Sequence, residues 1–152
     1  MPPFLVRPAS PEDVPSMHGL IAELAAFEKA SHEFVATTDT LLDVIFGKEP
    51  WVWAWVAEAD GEVVGTAIVY RRYSTWKGPV LYLEDFVVRE SHRSLGIGGD
   101  LFEACMSFAR SKAYPKMVWQ VLDWNMDAHR FYQRYGADFD AGWWNGSIDL
   151  ST

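Results

Sequence analysis

Residues 80–99 read VLYLEDFVVRESHRSLGIGG. The apolar run Val80–Val88 predicts a central strand, interrupted only by the acid pair Glu84-Asp85. A glycine-rich loop, Arg93–Gly98, comes next. Apolar side chains at helical spacing follow the loop: Leu101, Phe102, Cys105, Phe108 and Ala109. This stretch therefore predicts a strand, a loop and a helix, with backbone N–H groups of the loop and of the first helical turn directed outward.

The elements around this unit alternate between strand and helix patterns. Before it, we expect a strand, two helices and a hairpin that turns at Asp60-Gly61: Phe4–Arg7, Ser10–Lys29, Thr38–Gly47, Trp51–Glu58 and Glu62–Tyr70. After the loop, we expect a helix, a buried strand, a helix and a last hairpin around Asn145-Gly146: Gly98–Lys112, Lys116–Leu122, Asn125–Tyr135 and Phe139–Leu150. This order predicts a mixed α/β sheet in a single domain, residues 1–152.

The chain has 152 residues, 13 basic and 21 acidic side chains and a net charge of −8. An acidic balance disfavours nucleic acid and anionic membranes as partners, because both require a field of the opposite sign. No apolar run approaches the roughly 18 residues of a membrane span, and residues 1–7 lack the pattern of a signal peptide. The lone Cys105 excludes a disulfide framework, and the four scattered histidines have no metal-ligand spacing. We therefore expect a cytoplasmic protein without a metal site.

The glycine loop favours an anionic ligand. Its outward N–H groups and the helix dipole suit a pyrophosphate, and Arg93 can add paired contacts to phosphate. The spacing excludes two common loops, since a dinucleotide loop needs glycine where Leu101 stands and a Walker loop needs Gly-Lys-Ser/Thr. Spacing alone leaves open a glycine-rich turn that binds nothing.

Three segments in one order resemble the GNAT superfamily of N-acetyltransferases. They are Leu81–Val88 with the Arg-x-x-Gly-x-Gly loop, Trp124-Asn125, and Phe131-Tyr132 with Gly136-Ala137. The chain looks like the spermidine/spermine (diamine) and thialysine branch of that superfamily over about residues 4–140. The resemblance implies a GNAT-type α+β fold: a mixed, mostly antiparallel sheet of about six to seven strands, flanked by about four helices and splayed between the fourth and fifth strands.

The same resemblance implies acetyl transfer from acetyl-CoA, as co-substrate, to a primary amine of a small cationic substrate by direct attack in a ternary complex. The implied cofactor contacts are Phe86, Val87, Val88, Arg93, Ser94, Leu95, Gly96, Ile97, Gly98, Asn125 and Tyr132. A homodimer is also implied. The alternative is a catalytically silent module that binds acyl-CoA and reports it to a partner, which would need neither Glu84 nor Tyr132.

The acid pair Glu84-Asp85 requires an explanation, because an ionised carboxylate in a buried strand is unfavourable unless it is paired or wetted. Either acid could face solvent or pair with Arg71 or Arg72. A carboxylate whose pKa is raised by burial can instead take a proton from an amine. The resemblance makes Glu84 this base and Asp85 a cation-binding group. Neighbouring strand side chains point to opposite faces, so both acids can serve one site only if the strand bulges, which would also free an N–H near Phe86 for the thioester oxygen.

Tyr132 follows Asn125 by two helical turns, so both side chains can face one cleft. The spacing of Tyr132 also suits an interior tyrosine beside Ala128. A phenol can donate a proton to the departing CoA thiolate. The resemblance assigns Tyr132 as this general acid and Asn125 as a contact to the pantetheine arm.

The residues that match amine-binding positions of the family are acidic or aromatic: Glu28, Trp76, Glu84, Asp85 and Trp124. Ser74-Thr75, however, stands where the polyamine enzymes carry an aspartate and a proline. One anionic contact is therefore missing, and polyamines, diamines and thialysine-like amino acids all stay open as substrates.

Overall fold

The structure is a computed structural model that describes residues 3–151. Residues 1, 2 and 152 lie outside the described residues. The predicted domain (residues 1–152) and the segment expected to lack a signal peptide (residues 1–7) therefore lie partly outside them. The described chain contains five strands: β1 (Leu5–Pro8), β2 (Val52–Ala59), β3 (Glu62–Ser74), β4 (Gly78–Val88) and β5 (Met117–Trp119). Its α-helices are α1 (Val14–Phe27), α2 (Thr38–Phe46), α3 (Ile97–Ser111) and α4 (Met126–Gln133).

The sheet has the order β1-β2-β3-β4-β5. Neighbours are antiparallel from β1 to β4, whereas β4 and β5 are parallel. The β4–β5 ladder joins only Leu81–Leu83 to Met117–Trp119. The rest of β4 has no strand neighbour on that side within residues 3–151, and this is the position where the sheet was expected to open.

Five strands replace the six to seven that were expected. The prediction of a hairpin in Phe139–Leu150 was wrong, because no described residue of that segment is in a strand. An Asn-Gly turn signal needs a third strand or a packed face to stabilise the hairpin, since an isolated pair of strands is marginal in water. The predicted strand Lys116–Leu122 is shortened to Met117–Trp119, and the last helix ends at Gln133 rather than Tyr135.

Alternation along β2 determines the two sides of the sheet. Val52, Ala54 and Val56 point to one face, where they form a buried cluster with Met17 of α1 and Ile68 of β3. The side chains between them point to the other face and meet α3: the Trp53 and Trp55 rings lie 4.9 and 5.3 Å from the Phe108 ring. The sheet therefore has α1 on one side and α3 on the other.

The close packing of α3 on the sheet depends on Gly65 of β3. A Cβ at this position would lie 3.1 Å from Leu101 Cδ1 and 3.3 Å from the Val87 carbonyl oxygen. Both distances are shorter than ordinary van der Waals contact, so glycine allows the helix to approach the sheet closely here. This packing positions the N-terminus of α3 next to the end of β4.

The chain divides into two compact units, residues 1–120 and residues 121–152. The first contains the whole sheet and helices α1 to α3, and the second contains α4 and an irregular segment. Within residues 3–151, every helix is too short or too polar to cross a membrane. In the same residues, no three His, Cys, Asp or Glu side chains are grouped so that they could hold a metal ion.

Candidate active site

Strand β4 bulges at Glu84. Along the β3–β4 ladder, Val69 lies opposite Leu83 and Ile68 lies opposite Asp85, so Glu84 is one extra residue in β4. Strand β4 therefore has the bulge that Glu84 and Asp85 need in order to serve one site.

Two hydrogen bonds show the same extra residue independently. The Leu81 N–H donates to the Lys116 carbonyl oxygen on the β5 side, whereas the Arg89 N–H donates to the Val64 carbonyl oxygen on the β3 side. Residues 81 and 89 are an even number of positions apart, so in a regular strand their N–H groups would point to the same edge. The reversal requires one inserted residue, which is Glu84.

The bulge puts Asp85 on the same face of the sheet as Tyr82. Asp85 lies opposite Ile68 and Tyr82 lies opposite Tyr70, and residues directly opposite in a ladder share a face. Ile68 and Tyr70 are two residues apart on β3, so all four side chains point to one side. Ile68 belongs to the core cluster beneath α1, so Asp85 lies on the α1 side of the sheet.

The two acids have different environments. Glu84 is exposed, whereas Asp85 is partly buried. Burial raises the pKa of Asp85 to about 7, and the charges of Glu84 and Glu28 contribute to this rise. The sequence assigned the proton-accepting role to Glu84, but the carboxyl whose pKa lies near neutrality is Asp85.

Glu28 is the third member of this acidic cluster. It is the C-cap of α1, where its N–H donates to the Leu24 carbonyl oxygen. Burial raises the pKa of Glu28 as well. Glu28, Glu84 and Asp85, which the sequence placed in one amine-binding site, are therefore close enough for their charges to interact.

Two tyrosines next to these acids were missed in the sequence. Burial raises the pKa of Tyr70 and of Tyr82, and the charge of Glu84 raises both further. The rings lie 5.2 Å apart. Strand alternation could have found Tyr82, which is two residues before Glu84, but Tyr70 became evident only through the pairing of β3 with β4.

The alternative that Arg71 or Arg72 neutralises the acid pair has no support within residues 3–151, where no ion pair joins either arginine to Glu84 or Asp85. The guanidinium carbon of Arg72 instead lies 5.4 Å from the centre of the Tyr82 ring. The described contact of Arg72 is thus with a tyrosine beside the acids and not with the acids themselves.

The two predicted aromatic contacts are both exposed. Trp76 is in the β3–β4 turn, at the opposite end of β4 from the acids, and 83% of it is exposed. Trp124 belongs to the second unit, and 44% of it is exposed. Within the first unit, the described contacts therefore bring together the three acids of the predicted substrate site and not Trp76.

The predicted cofactor loop makes a tight turn into α3. Ser94 has φ 64° and Gly96, the N-cap of α3, has φ 91°. Arg93, Ser94, Leu95 and Gly96 are exposed, and Ile97 is buried with 1% exposed. A left-handed conformation at the N-cap favours glycine, because a Cβ there would be strained.

Arg93 is held at the base of this loop. Its Nε–H donates to the Val88 carbonyl oxygen at 3.1 Å, and its guanidinium carbon lies 5.9 Å from the centre of the Phe27 ring. The N–H groups of the first turn of a helix have no partner within the helix. Together, the first turn of α3 and the Arg93 side chain can accept an anion.

Of the three predicted contacts on β4, Phe86 and Val88 direct their N–H groups to the open edge of the strand and Val87 does not. Because the Arg89 N–H points to β3, alternation directs the Val87 N–H to β3 and the N–H groups of Phe86 and Val88 to the other edge. That edge lies beyond the end of the β4–β5 ladder at Leu83. The Phe86 N–H is therefore directed where the sequence expected a thioester oxygen.

In the second unit, Asn125 caps α4 as predicted. Its side-chain oxygen accepts a hydrogen bond from the Ala128 N–H at 3.2 Å. Tyr132 on the same helix is buried, with 7% exposed, and its ring meets the Phe131 ring edge-on at 5.5 Å. Helix α4 therefore holds both side chains, Asn125 at its N-cap and Tyr132 two turns further on.

The chain is similar to known acetyltransferases over most of its length. The profile of the acetyltransferase (GNAT) family matches residues 21–137. A thialysine N-epsilon-acetyltransferase from Bos taurus is 36% identical over 141 residues, which are 88% of this chain and 83% of that protein. A human spermidine/spermine N(1)-acetyltransferase-like protein 1 is 33% identical over 92% of this chain, which corresponds to 22% of its own length.

A solved structure has the same fold. It is an aminoglycoside acetyltransferase from an uncultured soil metagenomic sample, and it superposes with a TM-score of 0.80 at 18% identity. The superposition covers 97% of each chain. The α+β fold with a mixed sheet is thereby confirmed, with five strands where the sequence expected more.

Proposed function

The chain belongs to the acetyltransferase (GNAT) family, and we propose that it transfers an acetyl group from acetyl-CoA to a primary amine of a small cationic substrate by direct attack in a ternary complex. Amine N-acetylation is the activity in the names of its relatives from cattle and mouse. The amines that we consider are polyamines, diamines and thialysine-like amino acids.

The bulge at Glu84 carries this proposal. It turns two adjacent carboxyl groups to one side of a strand, where a third, Glu28, also acts. A cluster of like charges at the edge of a core is unfavourable by itself, and a bound ammonium group relieves it. The cluster therefore lowers the stability of the free protein and favours the binding of an amine.

The cofactor site that we propose consists of the end of β4 and the loop before α3. The first-turn N–H groups of α3 and the Arg93 side chain would hold the pyrophosphate: Arg93, Ser94, Leu95, Gly96, Ile97 and Gly98. The N–H groups on the open edge of Phe86–Val88 would hold the pantetheine arm and the thioester oxygen, and Asn125 would add a contact. Acetyl-CoA supplies the acetyl group as a thioester.

Glu84 and Tyr132 would move the two protons of the reaction. The ammonium group gives up a proton to Glu84, directly or through one water molecule, so that the nitrogen lone pair can form the new C–N bond. Tyr132 donates its phenolic proton to the sulfur when the C–S bond breaks, and the second proton that the nitrogen loses as the amide forms returns through solvent to the phenolate. Asp85 and Glu28 hold the cation, with Trp76 and Trp124 as aromatic contacts to the substrate.

An assay of thiol release from acetyl-CoA tests this function. Polyamines, diamines, thialysine and free amino acids are each supplied as the acceptor, and we expect at least one amine to release thiol in a saturable way. Glu84→Gln should reduce this release by about 10²-fold or more. Tight acetyl-CoA binding with no release for any amine would instead favour a silent acyl-CoA-binding module.

Four further properties are part of the proposal. The family match spans residues of both compact units, which supports one functional domain. The net charge of −8 supports a protein that does not bind nucleic acid or anionic membranes. The single, buried Cys105 supports a cytoplasmic location. Exposed apolar side chains in the tail support a homodimer: Trp143, Trp144, Ile148 and Leu150.

A further inference from the structure

The C-terminal end of α1 connects the proposed cofactor loop with the acidic cluster. The ring centre of its last residue, Phe27, lies 5.9 Å from the guanidinium carbon of Arg93. The next residue, Glu28, is half-buried, and its charge contributes to the raised pKa of Asp85. All four residues belong to the first compact unit. One helix end therefore contacts the arginine of one proposed site and supplies a carboxylate to the other.

A backbone hydrogen bond closes this end of α1 into a turn. The Ala30 N–H donates to the Ala25 carbonyl oxygen at 2.8 Å. Lys29 is left-handed, with φ 59°, and the two features together are typical of the Schellman motif at the end of a helix. Phe27 and Glu28 both lie inside the loop that this bond closes. A restraint on Phe27 therefore restrains Glu28 as well.

The guanidinium group of Arg93 can hold an anion and contact Phe27 at the same time. Its Nε–H donates to the Val88 carbonyl oxygen at 3.1 Å, which leaves the N–H groups of both terminal nitrogens for a ligand. These donors lie in the plane of the group, whereas an aromatic ring packs against its face. Within residues 3–151, no ion pair joins Arg93 to a carboxylate. A pyrophosphate on the in-plane donors would therefore hold the cation against the Phe27 ring.

We propose that Phe27 is a positioning residue that couples the two sites: an anion bound by Arg93 restrains the end of α1 through the Phe27 ring and thereby fixes Glu28 for the amine. The inference rests on the proposed acetyltransferase function and deepens it, because it adds a residue that acts through Arg93 and Glu28. Coupling between two binding sites is reciprocal. The amine must therefore raise the affinity for coenzyme A by the factor by which coenzyme A raises the affinity for the amine.

Hydrogen exchange in the presence of coenzyme A tests the first half of this coupling and needs no amine. The backbone amides of residues 28–30 are hydrogen-bonded in the closed turn, so their exchange reports how often the turn opens. Saturating coenzyme A should slow this exchange about two- to five-fold, the range that a cation–π contact near a protein surface supplies. The Gly47 amide, which donates to the Asp43 carbonyl oxygen at the end of α2, is the internal control and should not respond.

Three variants separate the ring contact from a merely structural role. Phe27→Leu keeps an apolar side chain at a position that is 43% exposed, but it removes the aromatic face and should abolish the response of residues 28–30. Phe27→Tyr keeps the face and should retain the response. Phe34→Leu is the matched control, because the Phe34 ring also packs on α1, 4.7 Å from the ring of His18. It should respond as the wild-type protein does.

Calorimetry tests the second half with the amine that the thiol-release assay identifies. Saturating amine should lower the Kd of coenzyme A about two- to five-fold in the wild-type protein and in Phe27→Tyr, but not in Phe27→Leu. An unchanged Kd in the wild-type protein would overturn the coupling. If no amine is acetylated, hydrogen exchange alone decides.

The outcomes of the exchange experiment distinguish the two proposals. If coenzyme A binds and the exchange of residues 28–30 stays unchanged, or if Phe27→Leu responds as the wild-type protein does, the coupling is overturned while the acetyltransferase function stands. If coenzyme A does not bind, both proposals are overturned.

Discussion

Glu84 and Asp85 are adjacent and chemically alike, but their surroundings give them different properties. Asp85 faces the side chains beneath α1, so burial and the charges of Glu84 and Glu28 raise its pKa to about 7. Glu84 lies at the bulge and is exposed. An approaching ammonium group therefore meets one exposed acidic side chain and one partly buried carboxyl group whose pKa is about 7.

The effect of Asp85 on stability depends on pH with a defined sign. Its pKa is higher in the folded state than the ordinary value of 3.8, so the folded state binds more protons than the unfolded state between pH 3.8 and about 7. Stability therefore falls as pH rises through this window. We expect Asp85→Asn to raise the melting temperature by several degrees at pH 8 and by less at pH 5.

Differential scanning fluorimetry at both pH values measures this effect. Glu49→Gln, which removes an exposed acid in a loop, is the control and should change neither melting temperature appreciably. Destabilisation by Asp85→Asn at pH 8 would show that the ionised carboxylate is satisfied in the folded protein.

The role of Tyr132 can be tested by the removal of a single oxygen atom. Tyr132→Phe should lower turnover by roughly 10²–10⁴-fold and leave acetyl-CoA affinity nearly unchanged. Steady-state kinetics with the best amine and calorimetry with acetyl-CoA measure the two quantities. Tyr135→Phe, a more exposed tyrosine just beyond α4, is the control, and equal turnover of both variants would remove Tyr132 from the mechanism.

At the scale of elements, α3 is positioned by the contact of its apolar face with β3 at Gly65. Ile97, Leu101 and Cys105 are buried on this face, while Gly96 begins the helix in a left-handed conformation. The helix N-terminus and the open edge of β4 thus come from two elements that pack directly against each other. A change in their packing distance should disturb both the stability and the cofactor site.

Gly65→Ala should destabilise the protein by about 1–3 kcal/mol, because the added Cβ would press against Leu101 and the Val87 carbonyl oxygen and move the helix slightly from the sheet. Urea unfolding measures the free energy. Gly19→Ala is the matched control, since nothing lies within 4 Å of a Cβ in this exposed position of α1. That variant should gain up to about 1 kcal/mol from helix propensity, and equal effects of the two would contradict the packing argument.

At the scale of the whole molecule, the irregular tail after α4 exposes large apolar side chains. Trp144 is 98% exposed and Trp143 is 73% exposed. Water contact with so much apolar surface is unfavourable, and a second copy of the chain could cover it. The proposed homodimer would bury these side chains between two copies of an acidic chain.

Sedimentation equilibrium should give twice the chain mass of 17.3 kDa. Joint replacement of Trp143 and Trp144 by serine should restore the mass of one chain. Trp76→Ser removes an equally exposed tryptophan outside the tail and should leave the mass doubled. A single-chain mass for the unaltered protein at high concentration would contradict the homodimer.

Local chemistry in the sequence determined the central unit of the fold. An apolar run, glycines and a helical apolar stripe specify a strand, a loop and a helix within residues 80–111, because each preference acts over a few neighbouring residues. The cap at Asn125 and the hairpin turn at Asp60-Gly61 followed from the same kind of local signal. The three segments that resemble the GNAT superfamily predicted the family of the chain, and the family profile that matches residues 21–137 confirmed it.

Only the tertiary structure decided the features that depend on partners distant in the chain. The bulge at Glu84 is a property of the pairing of β4 with β3, and the pKa of Asp85 depends on Glu28 at the end of α1. Arg72 and Lys116 line one cavity at the turn between β3 and β4, although no local pattern connects them. Strand register, burial and the interactions of charges distant in the chain are set by packing between elements. A sequence pattern can show that such features are needed, but it does not determine which residues come together.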